Sequence, residues 1–329
     1  MTAQELRIKK ERILFGISVV VSAVIWIVLA VTIVGIAYSA LVAVAVLMAH
    51  ALYLAHVTGN GVRVSSAQLP EIWAKVQEAS RKLGMPRAPE VYIIQHGGVL
   101  NAFATKLLSR RFVVIYSDLL DACDAAGPRE AGKPSELDFI IGHELGHLAA
   151  GHLAWQWFLL PARIFPLLGP AYSRAREYTC DLCGHATVED LEVSSRALTI
   201  LAAGGHAGRR VNLDMFVEQI TDTGRFWMAV AELNASHPFL SKRVAALRAA
   251  QGLGRASVSR NLLAYPLAPI LGIAGGGPVL MVVIVTYALI FASMPKLTKL
   301  IGQMKAAQTQ AQPADEPAPQ PAPTEDRAR

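Results

Sequence analysis

FIIGHELGHLAAGH, residues 139–152, is the stretch on which the reading of this chain turns. His143 and His147 stand four apart, with Glu144 directly after the first. On an α-helix, positions four apart lie about 40° from each other around the axis and one turn on. Two imidazoles so placed can share one metal ion, with the glutamate leaning toward the same point. This is the H-E-x-x-H pattern of two Zn²⁺ ligands and a general base. The pattern needs a helix, and Ser135 with Asp138 three later reads as a capping box that opens one. Leu137, Ile140, Ile141, Leu145 and Leu148 supply its apolar faces. So short a pattern also arises by chance, so the remaining chain must supply a third ligand.

The 329 residues can hold one large domain or two small ones. Apolar residues make up 53% and the mean hydropathy is +0.37, which points to membrane spans. The net charge of +6 does not gather on one face with interleaved aromatics, so nucleic-acid binding is not expected. The excess reads as charge flanking a membrane. Cys123, Cys180 and Cys183 are too few, and odd in number, for a disulfide framework, and they fit a reducing compartment.

Residues 1–12 read as a basic cytoplasmic N-terminus, with Arg7, Lys9, Lys10 and Arg12. Residues 13–57 contain no Asp, Glu, Lys or Arg and are long enough for two spanning helices, about 13–35 and 39–57, turning at Tyr38-Ser39. A cleaved signal peptide would have an apolar core of only about 7–15 residues. Basic residues ahead of a two-span hairpin place the chain beyond the hairpin in the cytoplasm. Residues 68–84 read as an amphipathic helix, and 90–95 (EVYIIQ), 101–104 (NAFA) and 111–117 (RFVVIYS) as strands. Beside the zinc helix, such a sheet either offers an edge to an extended peptide or simply packs the helix. Residues 121–134 read as a loop. The aromatic, proline-broken stretch 155–172 is too short to span and reads as a surface at the membrane interface or a buried connection.

The third ligand is sought in SRAREYTCDLCG, residues 173–184. Glu177 and Asp181 share a helix face, so one carboxylate can bind the metal while the other steadies a ligating histidine. His152 falls about 180° around the helix from His143 and is expected to point away. Cys180 and Cys183 form a lone C-x-x-C and read as core residues. Residues 190–251 read as further helices. Late in the chain, His237 or Arg243 could donate to the oxyanion of a tetrahedral intermediate; equally, one could be a loop residue and the other an ion pair with Glu177 or Asp181. Residues 262–295 form a second hydrophobic membrane segment, and 296–329 a disordered tail rich in Ala, Gln and Pro.

With these residues in view, the chain resembles the HtpX and CAAX-prenyl-protease family of integral-membrane zinc metallopeptidases. The resemblance rests on His143-Glu144-x-x-His147, the preceding Asn101–Ala104 strand, Ser173-Arg174-x-x-Glu177-x-x-x-Asp181, and His237-Pro238 with Arg243. It implies His143, His147 and Glu177 as ligands of one Zn²⁺, Glu144 as base and Asp181 as the support of a ligand. It also implies that Asn101, Ala102, Phe103 and Ala104 form the substrate edge. The expected fold is α+β: a mainly helical, zincin-like domain (58–261) with a small sheet, flanked by transmembrane helices. The expected protein is a membrane-anchored endopeptidase of the bacterial inner membrane, its catalytic domain facing the cytoplasm, acting on membrane or misfolded proteins. Alternatives are a prenyl-peptide processing protease or a membrane protein that binds clients without cutting them. Two departures stand out: only 155–172 separates the zinc helix from the glutamate, and Cys180 replaces a more usual alanine.

Overall fold

A computed structural model of the chain describes residues 2–124, 133–254, 261–271 and 302–303. One compact unit, Met1–Gly277, holds all the strands and named helices; of the second, Pro278–Arg329, only 302–303 are described. The expected membrane segment beyond 271 and the tail lie outside the described residues.

Two long apolar helices come first, α1 (Lys9–Ala30) and α2 (Ile33–Asn60). Both are long and apolar enough to cross a membrane, by length and composition. The turn between them falls at Val31-Thr32 rather than at Tyr38-Ser39. Thr32 decides it: its side chain accepts the Gly35 N–H at 2.9 Å and caps α2, while Tyr38 and Ser39 lie inside that helix. Residues 2–8, read as a separate basic terminus, pack on the domain. Ala3 is buried in the main core, and the Gln4 side chain donates to the Ala150 carbonyl at 3.2 Å.

The outward faces of α1 carry Ile13, Val20, Val24 and Ile27, all more than half exposed. Its inward face is polar: Glu11, Ser18 and Ser22 are buried, spaced seven and four apart as one helical stripe requires. The Ser22 hydroxyl accepts the Ala162 N–H at 3.2 Å, and the Trp26 indole donates to the Phe158 carbonyl at 2.8 Å. A helix with polar groups inside and apolar groups outside is inverted for water and suited to lipid.

Strands β1 (Val62–Arg63), β2 (Glu90–Ile94), β3 (Ala102–Leu107) and β4 (Arg110–Tyr116) form one mixed sheet in the order β1-β2-β4-β3. β2 and β4 run parallel, and β3 pairs antiparallel with β4, so β3 is an edge. Period-two alternation splits the sheet's apolar residues. Val91, Ile93, Val113 and Ile115 join the main core, whereas Tyr92, Phe112, Val114 and Tyr116 meet Leu54 and Val57 of α2.

Helix α3 (Pro70–Lys82) is the expected amphipathic helix. The segment read as a loop from 121 is helical to Asp124, within α4 (Ser117–Asp124); 125–132 are outside the described residues. Its apolar spacing puts Leu119, Ala122 and Cys123 in the interior, which explains the added turn. α5 (Glu136–Ala149) opens as expected: the Asp138 carboxylate accepts both the N–H and the hydroxyl of Ser135 at 2.7 Å. A short α6 (Leu160–Ile164) leads to α7 (Leu168–Val188), followed by α8 (Leu191–Gly208), α9 (Leu213–Glu218), α10 (Phe226–Asn234), α11 (Leu240–Ala250) and α12 (Ala264–Leu271). In 155–172, Leu159 and Ala162 are buried, as a buried connection requires, while Trp155 and Phe165 are exposed.

Candidate metal centre

Glycines set how close α5 and α7 can come. A Cβ on Gly142 would sit 2.3 Å from the Thr187 hydroxyl, and one on Gly146 would sit 2.8 Å from the Cys183 Cβ. From the other side, a Cβ on Gly184 would meet the Phe139 carbonyl oxygen at 2.7 Å. Two long helices in backbone-level contact bring side chains from sequence positions thirty or more apart within bonding range. Buried Cys180 and Cys183 line this seam, and the C-x-x-C is part of the packing.

At the seam, the Glu177 carboxylate straddles the two histidines. Its Oε2 lies 3.4 Å from His143 Nε2, and its Oε1 lies 3.4 Å from His147 Nε2. These separations are long for charge-assisted hydrogen bonds. Atoms ~2.0–2.1 Å from a Zn²⁺ ion lie roughly 3.3–3.4 Å from one another, so each oxygen stands one tetrahedral edge from one of the imidazoles. Two imidazoles and an ionised carboxylate are a donor set that fits a zinc ion.

Behind His143 stands a charged pair. Asp181 Oδ1 is 3.0 Å from His143 Nδ1, and Asp181 Oδ2 accepts Arg243 Nε at 2.8 Å. Arg243 Nη1 also reaches Glu177 Oε2 at 3.4 Å. Of the two readings of Arg243, the structure displays the ion pair. Burial opposes charge on both carboxylates, but the histidines and Arg243 overcome it, holding Glu177 well below the usual carboxylate range and Asp181 below it too. Burial also disfavours charge on His143, yet its hydrogen bonds to Asp181 and Glu177 raise its pKa; at His147 burial prevails and lowers it.

Glu144 points into a cleft of about 290 Å³ that Asn101, Ala102, His143, Glu177, His237 and Arg243 also line. Burial above all lifts its pKa to about 7, with the Glu177 charge adding to the rise; the His143 charge and a hydrogen bond to the Ala104 backbone oppose it. Near neutrality such a carboxyl exchanges protons readily. His237 sits at the exposed mouth, its Nε2 3.7 Å from Glu177 Oε1 and its Nδ1 2.9 Å from the Ser236 hydroxyl.

The Asn101–Ala104 stretch divides. Asn101 precedes β3, and its carbonyl accepts the Tyr116 N–H at 3.0 Å. Asn101 and Ala102 line the cleft, while Phe103 turns to the opposite face and packs against Tyr53 and Tyr116 at 5.9 and 6.0 Å between ring centres. The outer edge of β3 has no partner strand among the described residues.

A second donor combination includes a thiol: one donor atom each of His143, His147 and Cys180 lies within 4.8 Å of the others. Burial pushes the Cys180 thiol well above its ordinary pKa, and nearby Cys183 and Glu177 add to the rise. Glu177, with one oxygen 3.4 Å from each histidine Nε2, is the alternative third donor.

His152 does not point away. α5 ends at Ala149, and Gly151 turns with φ +79°, so helical extrapolation from His143 fails. The ring folds back, with Nδ1 3.1 Å from His147 Nδ1 and Nε2 3.1 Å from Glu11 Oε1. His152 and Glu11 are the residues that motif reasoning missed. The available signal was one acidic residue at the threshold of a long uncharged stretch.

A helix pair that brings two imidazoles and a carboxylate together, with a second carboxylate facing an open cleft, has the donor set of a metal-dependent hydrolase. Comparison with known proteins gives the particular group: the chain matches peptidase family M48 over residues 66–168 and 156–251, and it belongs to that family. The plastoglobule-localized metallopeptidase 48, chloroplastic, of Arabidopsis thaliana is 29% identical over 178 residues, 49% of this chain and 48% of that protein. The chain thus spans about half the length of this curated relative. No solved structure matches.

Proposed function

We propose that this chain is a membrane-anchored zinc endopeptidase, with one Zn²⁺ held by His143, His147 and Glu177. The observation that carries the reading is the Glu177 carboxylate spread between two Nε2 atoms at 3.4 Å each. Zinc in such a site supplies Lewis acidity to the scissile carbonyl and lowers the pKa of water. Glu144 takes a proton from the attacking water and passes it to the departing amine as the C–N bond breaks. Asp181, locked by Arg243, accepts the His143 Nδ1–H and keeps Nε2 free for the metal. His237, at the cleft mouth, donates to the carbonyl oxygen as it gains charge.

The substrate backbone adds to the free edge of β3, with Asn101 and Ala102 beside the scissile bond. Phe103 supports the strand from behind, and Ala104 connects it to Glu144. The outward apolar faces of α1 and α2 favour a bilayer anchor and, as substrates, membrane-associated or misfolded polypeptides. Positive charge ahead of α1 favours a cytoplasmic active site, and the resemblance to HtpX favours a bacterial inner membrane. Prenylated peptides are the competing substrate class, and a side-by-side assay against a misfolded membrane protein separates the two.

Cleavage of an unfolded polypeptide by purified protein, before and after chelation and zinc return, tests the activity. Glu144→Gln is expected to retain zinc and lose at least roughly a hundredfold in turnover. Undiminished turnover by zinc-replete Glu144→Gln protein would remove Glu144 from the chemistry.

A further inference from the structure

The apolar helix α1 carries a single acidic residue, Glu11, and that residue is fully buried. Its Oε2 accepts the Thr179 hydroxyl of α7, and its Oε1 accepts Arg7 Nε at 2.8 Å and faces His152 Nε2 at 3.1 Å. The other nitrogen of His152 lies 3.1 Å from His147 Nδ1, and His147 Nε2 in turn faces Glu177. One line of polar atoms therefore runs from the first turn of a membrane-type helix to the metal centre.

The protons along this line can be assigned from the chemistry of the atoms. A carboxylate only accepts, so His152 Nε2 carries a hydrogen and donates it to Glu11. A neutral imidazole with its hydrogen on Nε2 has a lone pair on Nδ1, and that lone pair faces His147 at 3.1 Å. His147 must then donate through Nδ1–H, which leaves its Nε2 lone pair toward Glu177, as a metal ligand requires. Cys180 Sγ, 3.6 Å from His152 Nδ1, is a weak competing donor. His143 has a carboxylate directly behind it; His147 has one behind it at the remove of a single imidazole.

We propose that Glu11 and His152 are positioning residues that fix the tautomer and ring orientation of His147, so that the N-terminal helix is a working part of the metal site as well as an anchor. The inference rests on His147 being a zinc ligand, and the test separates the two. Zinc affinity of the full chain in detergent is measured by competition with a chromophoric chelator. The variants are Glu11→Leu, His152→Leu, the double variant, Thr179→Val and His147→Ala, with Co²⁺ visible spectra and helix content recorded for each.

Glu11→Leu and His152→Leu are each expected to weaken zinc binding by about 10–100-fold and to shift the Co²⁺ bands. The double variant should bind no more weakly than His152→Leu alone, because Glu11 acts through that ring. Thr179→Val, which removes the hydroxyl that joins Glu11 and the Ile8 N–H to α7 but leaves the His152 contact, should stay within about twofold of the parent. A folded His152→Leu protein with parental zinc affinity overturns the proposal, whether or not Glu11→Leu folds. So does a double variant whose loss is the product of the single losses, or a Thr179→Val loss equal to that of Glu11→Leu. Parental affinity in His147→Ala would instead overturn the ligand assignment itself.

Discussion

The α5–α7 pair and the α1–α2 pair solve opposite problems with the same element. α5 and α7 bury charge, and glycines bring their backbones close enough for His143 and Asp181 to pair across the seam, with Arg243 beside them. α1 and α2 leave hydrocarbon outside, and α1 turns Ser22 and Glu11 inward onto α6 and α7. In the first pair polar interactions assemble the candidate metal centre. In the second they hold an apolar helix against a domain at a fixed rotation. Burial of polar atoms thus marks the side facing the protein in both pairs, whatever the solvent beyond.

The largest effect should come from removing the charge that joins α5 to α7. Glu177→Ala leaves the positive Arg243 and two imidazoles without their shared carboxylate, and zinc content should fall well below one per chain by elemental analysis. A variant retaining full zinc would mean that this seam does not hold the metal through Glu177, and the contrast between the pairs would lose its functional half. Next in size, Gly146→Ala drives a methyl into Cys183 and should cost about 1–3 kcal/mol in thermal or denaturant unfolding, with weakened zinc binding as the helices part. An unchanged melting temperature would show that the seam is looser than the glycines indicate.

Smaller effects bear on the α1 side. Ser22→Ala removes the acceptor of the buried Ala162 N–H and should cost about 1–3 kcal/mol in detergent, at the lower end if the neighbouring backbone relaxes. Val24→Ala, on the outward face of the same helix, should stay within about 0.5 kcal/mol of the parent. If the outward change cost more than the inward one, the assignment of the two faces would be reversed.

Much of the site could be read from the chain because helical spacing is rigid. His143, Glu144 and His147 are fixed by the period of α5, and Glu177 and Asp181 by the period of α7, so two short motifs defined two faces that had only to meet. The strands were legible from their β-branched runs and alternation. The features that could not be read depended on where helices stop. The α1–α2 turn was decided by one Thr32 cap inside a uniform apolar run, which hydropathy does not register. His152 was misplaced because Gly151 ends the helical period before it, and Glu11 looked like one more charge in a basic leader. The partition of Asn101–Ala104 between cleft and opposite face depended on a pairing register that composition does not set.

X-ray absorption at the zinc edge of the metal-loaded full chain is the sharpest test of the ligand set, since it reads the elements bound to the ion. With His143, His147 and Glu177 as the protein ligands, the first shell should contain only nitrogen and oxygen at ~2.0–2.2 Å. A sulfur shell at ~2.3 Å would put Cys180 in the place given to Glu177 and contradict that assignment.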